Sequence, residues 1–342
     1  MNLMNLAERI EVMSKLGIHL LAGDEFLDAL IHQTEYNNAW FTKANQHQSI
    51  QAIATAFLQK EKLEAWVANY DFPETTERKT VGLVLAGNIP LVGFHDILSV
   101  FIAGHKAMIK LSDKDKFIFP YLVKLLTKFD ERAAYYFEIT ERLGGFQAVI
   151  ATGSNNSARY FDAYFGKYPN IIRRNRNAVA VLDGTETEED FANLGQDVFQ
   201  YFGLGCRNVA KIYAPKGYDF NAMLEVFHEG YKQLAMHSKY KNNFDYNYAL
   251  YMLNKIPIWN NGCLIMTEDK AIQSRIANLH YEFYEDKGAL EKELADKLEE
   301  IQCVVTKTDF DDLKTVPFGE AQRPQLMDYA DGVDTMEFLL GL

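Results

Sequence analysis

The sequence predicts an α/β protein built in two parts, preceded by a helical section. Three observations predict it. From Val81 onward, short β-prone runs alternate with segments long enough for a helix, the pattern of parallel strands joined by crossover helices. These runs fall into two sets, separated by the basic, loop-like stretch NIIRRNRN (170–177). Ahead of both, residues 1–70 carry apolar positions at helical spacing and no proline. A chain of 342 residues, 48% of them hydrophobic, is long enough to bury two cores.

In chain order, FLDALIHQT (26–34) and IQAIATAFLQKEKLEAWVANY (50–70) read as amphipathic helices. The first strand set is VGLVLA (81–86), AMIKL (107–111) and QAVIAT (147–152). Between the first two lies IPLVGFHDILSVFIAG (89–104), the most apolar long window. His95 and Asp96 interrupt it and it falls short of the roughly 20 residues that span a bilayer, so it reads as a buried helix. The boundary is placed after Asn175, giving parts 1–175 and 176–342. The second part opens with AVAVLD (178–183), the amphipathic TEEDFANLGQDVFQYF (187–202) and NVAKIYAP (208–215). DKGALEKELADKLEEI (286–301) is a charged helix with a solvated face. No internal repeat or low-complexity tract is present.

Charge narrows the function classes. With 47 acidic against 35 basic side chains, a net of −12, the chain has no positive field for phosphodiester backbones, so nucleic acid is not an expected partner. Cys206, Cys263 and Cys303 lie far apart, with no CxxC pair and no nearby histidine, which argues against a metal site and fits a reducing, cytoplasmic setting. The N-terminal MNLMNLAERIEVM carries charge within its first ten residues and lacks the apolar core of a secretory signal, so no export is expected.

Four stretches carry candidate chemistry. AGNIPLVG (86–93) follows the first strand, where α/β sheets place ligand loops. Asn88 there either presents its amide to a substrate oxygen or caps the following helix. KLSDK (110–114) ends the next strand; Lys110 is a ribose or phosphate contact or a solvated charge. ATGSNNSARYF (151–161) joins a strand, a glycine turn and a helix start whose free N–H groups suit an anion such as pyrophosphate, with Ser154 or Asn155 as a plain N-cap the other reading. No GxGxxG occurs at the first strand, so the ordinary dinucleotide fingerprint is absent. In FGLGCRNVAKIYAP (202–215), Gly203 and Gly205 clear side chains from around Cys206, which lets a carbonyl approach the sulfur. A small buried hydrophobe is the alternative for Cys206. Cys263 and Cys303 sit in strand-like apolar runs and read as packing.

Taken in order, GNIPL, AGHKAMIKLSD, TGS and GLGC resemble the successive signatures of the aldehyde dehydrogenase superfamily. RNRNAVAVLDG (174–184) and YADGVDTMEFL (329–339) are similar in particular to its acyl-CoA reductases of the LuxC type. The resemblance covers the chain from about residue 40 onward and implies an aldehyde dehydrogenase-like fold: a Rossmann-like cofactor-binding domain with the helical section in 1–175, and an α/β catalytic domain with a C-terminal oligomerisation strand in 176–342. It further implies Cys206 as the acyl-accepting nucleophile and Asn88 as an oxyanion donor with the Cys206 backbone N–H. Lys110 and Ser112 would hold the adenosine ribose of the cofactor, and Thr152, Gly153 and Ser154 would line its pyrophosphate and nicotinamide approach. NADPH is the expected cofactor, because Lys110, Lys114 and Lys116 suit a 2′-phosphate, while Asp113 keeps NADH open.

One departure from the superfamily pattern is informative. Its hydrolytic members place a general-base glutamate well upstream of the nucleophile, whereas residues 165–180 (FGKYPNIIRRNRNAVA) contain no acid. Water activation on a thioacyl enzyme needs such a base and thioester exchange does not, so reduction of an acyl-CoA is favoured over aldehyde oxidation. The partners this implies are an acyl-CoA or other acyl thioester, a fatty acid-activating protein, and further copies of the chain in a homo-oligomer. Two rival readings remain: a cysteine acyltransferase or hydrolase pairing Cys206 with His237, and a non-catalytic interaction subunit.

Overall fold

The computed structural model describes residues 3–73, 77–311 and 313–342. The chain divides into two compact units, Met1–Asn175 together with Pro324–Leu342, and Arg176–Arg323.

The first unit begins with α1 (Leu6–Ala22), α2 (Glu25–Asn37), α3 (Lys43–Ala52), which runs into one π-helical turn at Ile53–Phe57, and α4 (Lys60–Val67). A capping box starts α1: Asn5 Oδ1 accepts from the Glu8 N–H at 2.9 Å, and Glu8 Oε2 accepts from the Asn5 N–H at 2.8 Å. Then follow β1 (Thr80–Val84), α5 (Phe94–Ile102), β2 (Lys106–Lys110), α6 (Ile118–Phe129), β3 (Phe137–Ile139), β4 (Ala148–Thr152), α7 (Asn155–Phe165) and β5 (Asn170–Arg173). The five strands are parallel, in the order β3-β2-β1-β4-β5. Val81 stands opposite Ala107 on one side and Ala148 on the other. Helices on such a sheet bury both its faces, which is why its inner strands read as continuous apolar runs.

Two local expectations shift here. The apolar window 89–104 is helical only over α5, because residues 88–93 form the turn that leaves β1. The basic stretch 170–177 is not a loop throughout, since its first four residues form β5. Arg173 is buried at 5% exposure because Asp96 and Thr335 take up its guanidinium: Nη1 donates to Asp96 Oδ2 at 2.5 Å and Nη2 to Thr335 Oγ1 at 2.9 Å.

The second unit contains β6 (Asn177–Val181), α8 (Glu188–Phe199), β7 (Val209–Pro215), α9 (Asn221–Tyr231), α10 (Ser238–Leu253), β8 (Trp259–Asn260), β9 (Ile265–Glu268), β10 (Asn278–Tyr284), α11 (Lys287–Asp296), β11 (Ile301–Val305) and β12 (Thr315–Val316). Its sheet runs β12-β11-β6-β7-β10-β9-β8, parallel except for the β8–β9 pair. β6 is buried along its length and feeds two cores. Ala178 and Ala180 pack with Phe191 and Phe227, while Val179 and Val181 pack with Leu290 and Leu294. Cys263 lies in the turn before β9 rather than in a strand, and Cys303 lies on β11.

The C-terminal segment corrects the expectation of an oligomerisation strand in the second part. Residues 330–332 form a 3-10 turn and Thr335–Leu340 form helix α12, and the whole of 324–342 belongs to the first unit. Asp334 caps α12 by accepting from the Glu337 N–H at 2.9 Å. Met336 and Leu339 are fully buried, and His105 Nε2 hydrogen-bonds the Leu339 carbonyl at 2.9 Å. A strand would forfeit this packing, together with the Arg173 bond to Thr335.

Candidate active site

Because the strands of the first unit are parallel, the loops leaving their C-terminal ends share one edge of the sheet. From β1 the chain turns to β2 on one side and later places β4 on the other, so the strand order reverses between β1 and β4. Ligands of open α/β sheets bind outside the strand ends at such a reversal. Asn88 follows β1, Lys110 and Ser112 end and follow β2, and Thr152, Gly153 and Ser154 end and follow β4. The structure therefore brings six of the seven predicted site residues to a single sheet edge.

The loops there are fitted to each other. A Cβ on Gly87 would lie 2.2 Å from Ser112 Oγ, so only glycine lets the Asn88 turn rest on the loop after β2. The same turn is pinned from both sides: Ser49 Oγ donates to the Pro90 carbonyl at 2.7 Å, and Asp115 Oδ2 accepts from the Leu91 N–H at 2.7 Å. Leu91 needs this support, having φ 56°. Asp115 is 1% exposed, and burial pushes its carboxyl up to about 7, against the pull of the Leu91 N–H. Helix α5 takes Gly93 as its N-cap, so Asn88 does not cap it.

Ser112 Oγ accepts from the Lys114 N–H at 3.3 Å, and Lys110 is exposed at the end of β2. Ser154 is the N-cap of α7, accepting from the Ser157 N–H at 3.2 Å. The first-turn amides of Asn155 and Asn156 have no carbonyl within the helix to bond and are free to meet an anion. Gly153 allows the tight entry, since a Cβ there would approach Phe161 to 2.8 Å and Ser157 Cβ to 2.9 Å.

Cys206 belongs to the second unit, at the N-terminal end of β7. It occupies a turn closed by the Asn208 N–H donating to the Gly205 carbonyl at 3.1 Å, and it is half-buried. Burial pushes the Cys263 thiol up to about 11 and the Cys303 thiol up to about 12, although Arg207 pulls the latter down. Those two sulfurs are held protonated at neutral pH, as packing side chains would be. His237, the rival partner, is engaged as the N-cap of α10: its Nδ1 accepts from the Tyr240 N–H at 3.3 Å, and its ring lies on Phe202 with centroids 4.4 Å apart. Asp197, a buried carboxylate on α8 pushed up to about 7 by burial, is also committed, accepting from the Gly319 N–H at 2.6 Å and the Ala321 N–H at 3.0 Å.

Asp115, Ser49, Asn208 and Asp197 are supporting residues that sequence reasoning missed. Asp115 sits in a KDK run that reads as solvated charge, and the others carry no motif. Among the described residues, no group of three or more His, Cys, Asp or Glu could hold a metal ion, and no helix is long and apolar enough to cross a membrane.

No protein-family model and no curated protein matches the chain. Solved structures do. The chain is similar to an aldehyde dehydrogenase from Physcomitrella patens in complex with its reaction product succinate, at 13% identity and TM-score 0.67, over 99% of this chain and 84% of that one. It is also similar to an NAD-dependent aldehyde dehydrogenase from Sinorhizobium meliloti, at 11% identity and TM-score 0.66, over 89% and 70%. A third match is an NADP-dependent enzyme of E. coli, at 12% identity and TM-score 0.66, over 90% and 74%. At these identities the likeness concerns architecture, and the architecture of this chain is that of the aldehyde dehydrogenase fold.

Proposed function

We propose that this protein is a nicotinamide-dependent acyl-thioester reductase of the LuxC type, taking a fatty acyl-CoA to the aldehyde through a thioacyl Cys206. The carrying observation is that Cys206 stands on a turn cleared by Gly203 and Gly205, in a chain of aldehyde dehydrogenase fold with no acid in residues 165–180. The same reading is supported by two side chains that are committed elsewhere, Asp197 to two backbone N–H groups and His237, the rival partner of Cys206, to capping a helix.

The residues at the sheet edge fit a nicotinamide dinucleotide. The α7 amides would receive its pyrophosphate, Lys110 and Ser112 its adenosine ribose, and Thr152, Gly153 and Ser154 the run toward the nicotinamide. Lys110, Lys114 and Lys116 favour NADPH over NADH. When bound, the reduced nicotinamide supplies the two-electron reduction of the thioester.

The rest falls to the chain's own side chains. The Cys206 thiolate would attack the acyl carbonyl carbon, and the donors that the resemblance implies for the resulting oxyanion are the Cys206 N–H and Asn88. The carbon–sulfur bond to CoA breaks, CoA departs as the thiolate, and the acyl group stays on Cys206. Exchange of one thioester for another is close to thermoneutral, so positioning rather than driving force is what the protein provides. After reduction, breakage of the carbon–Cys206 bond releases the aldehyde and restores the thiolate.

Intact-mass spectrometry on the whole chain tests this. An acyl-CoA should add one acyl mass to Cys206, and the adduct should disappear with aldehyde release only when NADPH is supplied. A Cys206→Ser protein that still reduced acyl-CoA would end the proposal. Absence of any adduct would favour the interaction-subunit reading, and loss of the adduct without NADPH would favour a hydrolase.

A further inference from the structure

Tyr201, Phe202 and Gly203 are three consecutive residues in the left-handed region, at φ 53°, 59° and 74°. For a tyrosine followed by a phenylalanine this conformation is costly, and it persists only where the surroundings over-determine it. Burial of the two rings, 7% and 6% exposed, is one constraint. Asn208, 1% exposed, supplies another by bridging the strained residues from end to end. Before them, its Nδ2 donates to the carbonyls of Asp197 at 2.8 Å and Gln200 at 2.9 Å. Beyond them, its Oδ1 accepts from the Gly205 N–H at 2.7 Å, and its own N–H closes the Cys206 turn onto the Gly205 carbonyl.

We infer that Asn208 is the positioning residue of the nucleophile turn, clamping the strained 201–203 chain so that Cys206 is presented in one geometry; the inference rests on the reading of Cys206 as the nucleophile. The task requires a side chain with donors on one atom and an acceptor on the other. Aspartate would set an oxygen against two carbonyls, and alanine reaches neither end. Asp197 extends the clamp, because the residue whose carbonyl binds Asn208 also holds the backbone of Gly319 and Ala321 through its carboxylate.

The test compares Asn208→Ala and Asn208→Asp with wild type in three measurements on the full chain. These are hydrogen exchange of the 200–208 segment against β7, the rate of Cys206 alkylation by iodoacetamide without ligands, and steady-state reduction of an acyl-CoA by NADPH. Expected are faster exchange confined to 200–208, an alkylation rate altered about tenfold, and kcat lowered about tenfold or more with KM for NADPH within about twofold, because a small misplacement of a reacting atom is costly. Faster exchange with alkylation and kcat both unchanged overturns the proposal. If wild type proves unable to reduce acyl-CoA, the functional reading fails and alkylation alone decides: an altered rate supports the clamp and an unaltered one overturns it. Should both variants fail to fold, Gly203→Ala strains the same segment, its new Cβ meeting only the Val198 carbonyl oxygen at 3.4 Å. Loss of kcat there supports the proposal, and full kcat overturns it.

Discussion

Asn88 sits in a turn whose shape is decided by its neighbours, Ser49 gripping Pro90 and Asp115 gripping Leu91. The helix that follows has Gly93, not Asn88, at its N-cap. An oxyanion donor contributes on the order of 3 kcal/mol to the transition state, so under the proposed function Asn88→Ala should slow acyl-CoA reduction about a hundredfold. Steady-state rates checked beside a thermal melt decide it. A variant with full turnover removes the oxyanion role, and one that melts far lower makes Asn88 structural. Asn88 and Cys206 stand out as candidates in the sequence because each follows a glycine near a strand end, where local sequence carries the signal. Asp115 and Asn208 were not legible. Their work lies in bonds to backbone groups of Leu91 and Asp197, 24 and 11 residues away, and no local pattern records such a partner.

At the scale of elements, the alternation of strand and helix is readable for β1, β2, β4, β6 and β7 and the helices between them, because parallel strands are apolar throughout and their crossovers are amphipathic, whereas 216–285 carries no such plain pattern. Two exceptions, β5 and α12, share one cause, a charge or a helix stabilised by partners distant in sequence. β5 ends in an arginine whose charge is buried against Asp96 and Thr335, and α12 depends on the same bonds. A signal for α12 was present, as Asp334 and Glu337 stand at the N-cap and N3 positions of a capping pattern, but six residues of helix give little periodicity. Arg173→Ala should cost about 3–5 kcal/mol in urea unfolding, since it strands a buried carboxylate. Arg173→Met with Asp96→Leu should recover much of that loss, because no charge is left uncompensated. Equal destabilisation by the single and double variants would show that the ion pair does not hold α12 and β5 to the unit.

For the whole molecule, two buried carboxylates set an unusual pH response. Asp115 in one unit and Asp197 in the other are each raised from 3.8 to about 7, chiefly by burial. Both hold protons more tightly folded than unfolded, so their contribution is fully present below about pH 4 and is lost as pH rises toward 7. Glu8 and Asp130, lowered mainly by hydrogen bonds from Arg132, and Asp190, lowered mainly by the Thr187 N–H, act oppositely and lose their contribution as pH falls through the acid range. The two trends place maximum stability on the mildly acidic side, above the range where the lowered carboxylates protonate and below 7. Asp115→Asn isolates one limb, because the amide oxygen still accepts from Leu91 while the titration is gone. Each pH unit across the window is worth about 1.4 kcal/mol for one such group. The gain of Asp115→Asn over wild type should therefore grow by about 3 kcal/mol between pH 5 and pH 8, nearly all of it below pH 7, read from urea unfolding at each pH. A gain independent of pH would mean that Asp115 is already ionised at pH 5 and that its burial is compensated by other groups.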